Sequence, residues 1–203
     1  MKVVGVFYFN FYSRMKKNTK APLIIGLVGE AGSGKDTAAS YIKRRYRAEE
    51  FRFSYMLVNA LKTLGIPISR ANLAWLMNLL KRKFGADTLT KAMEKTMCEL
   101  AKKPVIVING IRLPSDLEFI RRQEKNTIIY ITAPAKLRWR RVYNRGEKQD
   151  DKVSYKKFLR LNAGENERHI RSFGRQADHT IENVGNLGEL QDKIDEIIKE
   201  IGN

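Results

Sequence analysis

Cysteine, histidine and acidic residues are scarce in this chain, and each scarcity removes a class of function. Cys98 has no second thiol, so the sequence forms no internal disulfide and offers no cysteine-built zinc site; it fits a reducing cytosol. The two histidines, His169 in "ENERHIRS" and His179 at a strand start, have no metal-ligand partner at useful spacing and read as surface or capping residues. No apolar run approaches the roughly 20 residues that cross a bilayer, which excludes an integral membrane protein. The sequence also lacks internal repeats and low-complexity linkers. Only 22 acidic residues stand against 39 basic ones, and the net charge of +17 favours polyanionic partners. Nucleic acid, nucleotide phosphates and anionic lipid all qualify. The basic residues are scattered through "KRRYR", "KRK", "RR", "RWRR" and "KK", so charge alone does not choose among them.

What is present is an ordinary globular composition. With 203 residues, 43% hydrophobic and 30% charged, the chain has material for one domain with a substantial core. "MKVVGVFYFNFY" starts like a weak signal sequence but lacks a small-residue cleavage site, and its basic cluster "RMKKNTK" lies on the wrong side. Residues 1–20 therefore read as an N-terminal extension, with Met15 a candidate start and residues 1–14 expected to be dispensable. Residues 21–203 form the domain proper.

Short apolar runs alternate with amphipathic ones, the rhythm of an α/β domain with a parallel sheet. "LIIGLVG" (23–29), "VIVIN" (105–109) and "TIIYITA" (127–133) are β-branched and uninterrupted, as strands buried on both faces are. "EFRFS" (50–54) and "HTIEN" (179–183) bring the expected number of strands to five. Leu73, Leu76, Met77, Leu80 and Phe84 follow a helical repeat, as do Leu187, Leu190, Ile194, Ile197, Ile198 and Ile201. Pro104 and Pro114 bracket the third strand. "NRGEKQDDK" (144–152) reads as a mobile loop.

"GEAGSGKD" follows the first strand with the spacing Gly29, four residues, Gly34, Lys35, the P-loop pattern up to its final position. Glycines cost conformational entropy, so three in six residues mean that the backbone must approach something closely. The helix predicted to begin at once in "KDTAASYIKRRY" turns its first N–H groups and positive end toward one anion, and Lys35 reaches its terminal phosphates. Gly29, Ala31, Gly32, Ser33, Gly34, Lys35, Asp36 and Thr37 make up the expected donor site. The usual Ser/Thr after the lysine is Asp36, a carboxylate suited to magnesium directly or through water. A second departure lies in "VIVINGIR", where the strand that commonly ends in a magnesium-organising aspartate ends in Asn109. Asp36, Thr37 and Asn109 are the metal candidates.

"GSGKDT" is similar to the phosphate loops of small-molecule kinases related to nucleoside monophosphate kinases, and by that resemblance Thr37 contacts the α-phosphate. Residues 22–200 resemble the dephospho-CoA kinases and archaeal kinase-like relatives, through "ITAPAKLRWRRVYNR", "SYKKFL" and "ADHTIENVGNLGELQDKIDEII". The resemblance implies a three-layer P-loop fold with a five-stranded parallel sheet, helices on both faces and a mobile arginine-rich lid at about 135–172. Acceptor-binding helices are expected at about 55–102. Asn183 and Gly185 lie near the adenine base in such proteins, Arg112 of "NGIR" faces the acceptor, and Arg70 with Lys81 or Arg82 are anion contacts.

Arg138, Arg141 and Arg145 recur at helical spacings of three and four. Like charges so placed repel by about 0.2–0.5 kcal/mol per pair, a cost that a bound polyphosphate reverses. Phosphoryl transfer is mostly positioning and charge stabilisation, so arginines closing over the transferred group suit it. Dephospho-CoA kinases carry an aspartate soon after the second strand, whereas "FRFSYMLVNAL" contains no acid, which tilts the expected acceptor toward a phosphate. The sequence thus predicts a cytosolic kinase that uses ATP or another NTP with Mg2+ on a small nucleotide-like acceptor, its oligomeric state open. The alternatives are a nucleic-acid-associated P-loop NTPase and a nucleotide-binding relative weakened in catalysis.

Overall fold

A computed structural model describes residues 21–85, 87–100, 103–146, 152–163 and 165–202. The N-terminal extension and the centre of the loop expected at 144–152 lie outside them. In chain order the elements are β1 (Leu23–Val28), α1 (Lys35–Arg45), β2 (Glu49–Phe51), α2 (Phe53–Thr63), α3 (Arg70–Phe84), α4 (Thr88–Leu100), β3 (Val105–Asn109), α5 (Pro114–Arg121), β4 (Asn126–Thr132), α6 (Ala135–Arg145), α7 (Tyr155–Leu161), α8 (Glu165–Gly174), β5 (His179–Glu182) and α9 (Leu187–Gly202). The five strands form one parallel sheet in the order β2-β3-β1-β4-β5.

The strand period of two sorts the apolar residues onto two faces. Ile24, Val28, Ile106, Ile108 and Ile128 meet the helices α2, α3, α4, α5 and α8 on one side. Ile25, Leu27, Val105, Val107, Ile129 and Ile131 meet Ala38, Ala39 and Ile42 of α1 and Leu190, Ile194 and Ile198 of α9 on the other. That is the expected three-layer sandwich. Each isoleucine so enclosed contributes about 1.5–3 kcal/mol by leaving water.

Two expectations from the sequence change. The second strand does not run to residue 54: Arg52 is the N-cap of α2, and Phe53, Leu57 and Leu61, at helical spacing, all point into the core. The repeat in α3 does not end in the core either. Leu76 is buried, but Phe84 is 64% exposed at the helix end and Trp75 and Leu79 face outward. In α9, Leu187 is likewise exposed while Leu190, Ile194, Ile197 and Ile198 pack on the sheet.

The chain leaves β1 for β2 and β3 on one side and returns for β4 and β5 on the other, so the sheet order reverses at β1. Crevices at the carboxyl end of such a reversal are where open α/β sheets bind ligands. "GEAGSGK" lies there.

Candidate active site

The phosphate loop is built by close packing from three directions. Gly34 adopts φ 105°, left-handed, as the N-cap of α1, and a Cβ there would collide with the Asn183 side chain. Gly32 has φ 78°, and a Cβ would collide with the carbonyl of Arg138. The loop is therefore wedged between the segment after β5 and the first turns of α6. Asn183, 7% exposed, donates Nδ2 to the Ser33 carbonyl at 2.8 Å. Glu30, also buried, accepts from the Tyr130 hydroxyl at 2.9 Å and the Thr132 hydroxyl at 3.3 Å, which ties the loop to β4.

The first turn of α1 has N–H groups without intrahelical acceptors, and they open on the same crevice as Lys35. The Lys35 side chain is only 12% exposed and its ammonium lies 3.9 Å from Asp36 Oδ2. Ser33 Oγ is buried without a partner among the described residues. An unpaired buried hydroxyl costs about 1–3 kcal/mol, so the loop is more stable with a polar ligand beside it.

Next to Lys35, residues from α1, β2, β3 and the start of α2 close a ring. Asn109 Nδ2 donates to Asp36 Oδ1 at 3.0 Å and to Glu50 Oε1 at 3.1 Å. Arg52 Nη2 lies 2.8 Å from each of the same two oxygens, and its Nε donates to Glu50 Oε1 at 2.9 Å. Burial raises the Asp36 pKa, but Lys35, Asn109, Arg52 and Arg145 outweigh it and hold the carboxyl below the usual range. For Arg52, burial disfavours the charge, and Glu50 and Asp36 more than restore it.

No family model matches the chain. It is 28% identical over 183 residues to a UPF0200 protein of Pyrococcus horikoshii, covering 88% of this chain and 97% of that one. A UPF0200 protein of Methanocaldococcus jannaschii is 24% identical over 189 residues, 89% and 91% of the two chains. Among solved structures, TT1252 from Thermus thermophilus superposes with a TM-score of 0.56 at 22% identity, over 89% of this chain and 98% of that one. Shikimate kinase from Bacteroides thetaiotaomicron gives 0.54 at 13% identity, over 87% and 98%. The fold is that of the P-loop kinases.

Within this fold the expected site residues divide. Gly29, Ala31, Gly32, Ser33, Gly34, Lys35, Asp36, Asn109 and Asn183 converge around the loop, while Thr37 is exposed on the first turn of α1. Gly185 lies against the Glu189 carboxylate, where Asn186 and Glu189 cap the start of α9.

The three arginines of α6 do not act alike. Arg138, expected on a lid over the phosphates, is 7% exposed and turned into the protein. Its Nε donates to the Ala133 carbonyl at 3.0 Å, its Nη1 to the Ala31 carbonyl and Asn162 Oδ1 at 3.3 Å, and its guanidinium lies 5.8 Å from the Phe158 ring centre. A guanidinium so enclosed is a clamp between the loop, α6 and α7. Arg141 is half-buried, its Nη1 3.5 Å from the Ser33 carbonyl, and loss of water lowers its pKa. Arg145 is exposed and its charge acts on Asp36.

Arg112 is exposed after β3, its N–H held at 3.0 Å by Asp116 Oδ2. Burial raises the Asp116 pKa against the N–H groups of Arg112 and Leu113 and the charges of Lys81 and Arg112. Of Lys81 and Arg82, then, it is Lys81 whose charge reaches this loop, and Arg82 is exposed. Arg70 is the first residue of α3.

Glu50 and Arg52 escaped the sequence reading. Glu50 lies within β2, ahead of the stretch "FRFSYMLVNAL" in which an acid was sought. The signal was available: Glu50 and Arg52 are two apart in extended chain and so share a face. The stretch that follows Glu50, residues 51–61, contains no acid, as the sequence led us to expect.

The donor set fits magnesium. Asp36 and Glu50 present hard carboxylate oxygens side by side, and Asn109 Oδ1 is buried without a partner among the described residues. Mg2+ in nucleotide sites characteristically takes one or two carboxylates together with phosphate oxygens. Among the described residues no cluster of three or more His, Cys, Asp or Glu could hold a metal without such help.

Proposed function

We propose that this protein is a magnesium-dependent kinase. In this reading it moves the γ-phosphoryl of ATP, or another NTP, to a small nucleotide-like acceptor such as a (deoxy)nucleoside monophosphate or dephospho-CoA. The observation that carries the reading is the junction at Gly34 and Lys35, where a left-handed glycine delivers a nearly buried lysine to the positive end of α1. Kinase-fold neighbours support it.

In this reading Lys35 and the first amides of α1 hold the donor phosphates, and Asn183 to Gly185 border the donor base. Arg141 and Arg145 supply positive charge to the transferring group. Asp36 and Glu50, with Asn109 behind them, hold magnesium, which supplies neutralisation of phosphate charge when bound. Residues 21–203 form the kinase domain, with α2, α3 and α4 on the acceptor side beside Arg70, Lys81, Arg82 and Arg112, and residues 135–172 as the lid. With no acid in "FRFSYMLVNAL" to take a hydroxyl proton, a phosphate acceptor, already an anion, suits the site better than a hydroxyl.

The test is NTP turnover with dephospho-CoA, the (deoxy)nucleoside monophosphates, shikimate or no acceptor, in the wild type and in Lys35→Ala. Acceptor-dependent turnover that disappears in the variant supports the reading. Equal turnover in both proteins, or no heat when folded protein is titrated with Mg-ATP and Mg-GTP, overturns it.

A further inference from the structure

Arginine serves two purposes in this molecule, and the difference lies in what each guanidinium touches. Arg138 is buried and bonds to backbone carbonyls and an amide, the pattern of a brace. Arg52 instead bridges two carboxylates at an open surface, with 31% of its side chain exposed and Asp36 43% exposed. The Tyr55 ring lies 5.8 Å from its guanidinium, an alternative resting place for the cation.

The oxygens that Arg52 bridges, Asp36 Oδ1 and Glu50 Oε1, are the ones a divalent cation would use. Asn109 Nδ2 holds both in place from behind at 3.0 and 3.1 Å, so the pair stays together whichever cation lies in front. Two carboxylates this close repel unless a positive charge lies between them. Arg52 provides that charge from within the chain. A metal ion and the guanidinium cannot both occupy the near side of the pair.

We propose that Arg52 is an internal counter-ion for the Asp36–Glu50 pair, displaced when a divalent cation arrives with the nucleotide, so that Arg52 sets the magnesium requirement of the site. The inference rests on the donor-site reading above. It gives the chain a way to keep the carboxylate pair assembled without metal, at the cost of weaker metal binding.

The experiment is calorimetric titration of the full chain with ADP at stepped magnesium concentrations. The readout is the magnesium concentration that gives half of the maximal ADP affinity. Removing a charge-assisted competitor is expected to lower that midpoint about tenfold in Arg52→Gln. Arg52→Lys, which keeps the charge but loses the forked donor, lowers it less and serves if the glutamine variant does not fold. Glu50→Gln raises it. A midpoint unchanged or raised in Arg52→Gln, or unchanged in Arg52→Lys where that variant must stand in, overturns the inference and leaves the donor site intact. Absence of ADP binding by the wild type at every magnesium concentration overturns the donor-site reading, and the inference with it.

Discussion

Lys35 and Arg52 show how much the same charge depends on its surroundings. Lys35 is a point charge at a helix N-terminus, nearly enclosed beside Asp36. In the proposed function, replacing it with alanine removes a contact to the donor phosphates. Lys35→Ala is expected to lower turnover by about 10²–10³ with the fold retained, measured by coupled assay and circular dichroism. Arg141 is the next residue to separate from its neighbours. It is half-buried, and its only described hydrogen bond is the 3.5 Å contact to the Ser33 carbonyl. Arg141→Ala is expected to change stability by no more than about 0.5 kcal/mol while reducing turnover, the outcome for a group whose partner is the substrate.

At the scale of elements, α6 is a structural wall of the loop. Gly32 fits only because it lacks a Cβ facing the Arg138 carbonyl. Arg138 joins Ala31, Ala133 and Asn162, while Trp139 donates to the Val153 carbonyl at 2.8 Å and packs on Tyr143 and Tyr155. Arg138→Ala is therefore expected to destabilise the protein by about 2 kcal/mol in urea denaturation, through buried carbonyls left unpaired. Arg141→Ala, one turn along, is the control. The pattern of arginines three and four apart was legible in the sequence. Their division into a buried clamp, a half-buried residue and an exposed one was not, because helical spacing gives a face but not the depth at which each residue meets the rest of the protein. β2 teaches a similar lesson. Alternating "EFRFS" suits a strand, yet Phe53, Leu57 and Leu61 gain more by facing the core from a helix.

Across the whole molecule, carboxylates respond to pH in opposite directions. Asp178 is pushed up by burial but held lower overall by Arg121, 2.7 Å away, and by the Ile128 N–H. Asp36 is lowered too. A carboxyl whose folded pKa lies below its unfolded value stabilises fully above the latter, and this is lost as pH falls through the folded pKa. Asp116 is raised by burial and so loses stability as pH rises from the ordinary value of 3.8 toward its folded pKa. Asp178→Asn is thus expected to be less stable than wild type at neutral pH, with the difference shrinking as pH falls below the ordinary carboxylate value of 3.8 in denaturation curves. A constant difference would refute the ion pair's role. The charge of +17 acts on this scale as well. It predicts nucleic-acid binding no tighter than about 10⁻⁴–10⁻⁶ M at physiological salt, weakening steeply as salt is added and leaving any NTP turnover unchanged. Tight binding that survives added salt would instead favour a nucleic-acid partner.

The sequence by itself determined the phosphate loop, the five strands and the two-faced core, because glycine spacing and period-two apolarity are local properties that the chain carries wherever it folds. Only the tertiary structure decided which charged groups meet. Asn109 reaches Asp36 across 73 residues and Glu50 across 59, because the sheet order β2-β3-β1 brings the ends of those strands beside the loop. That adjacency comes from the packing of helices on both faces of the sheet, and no stretch of sequence around any one of these residues encodes it.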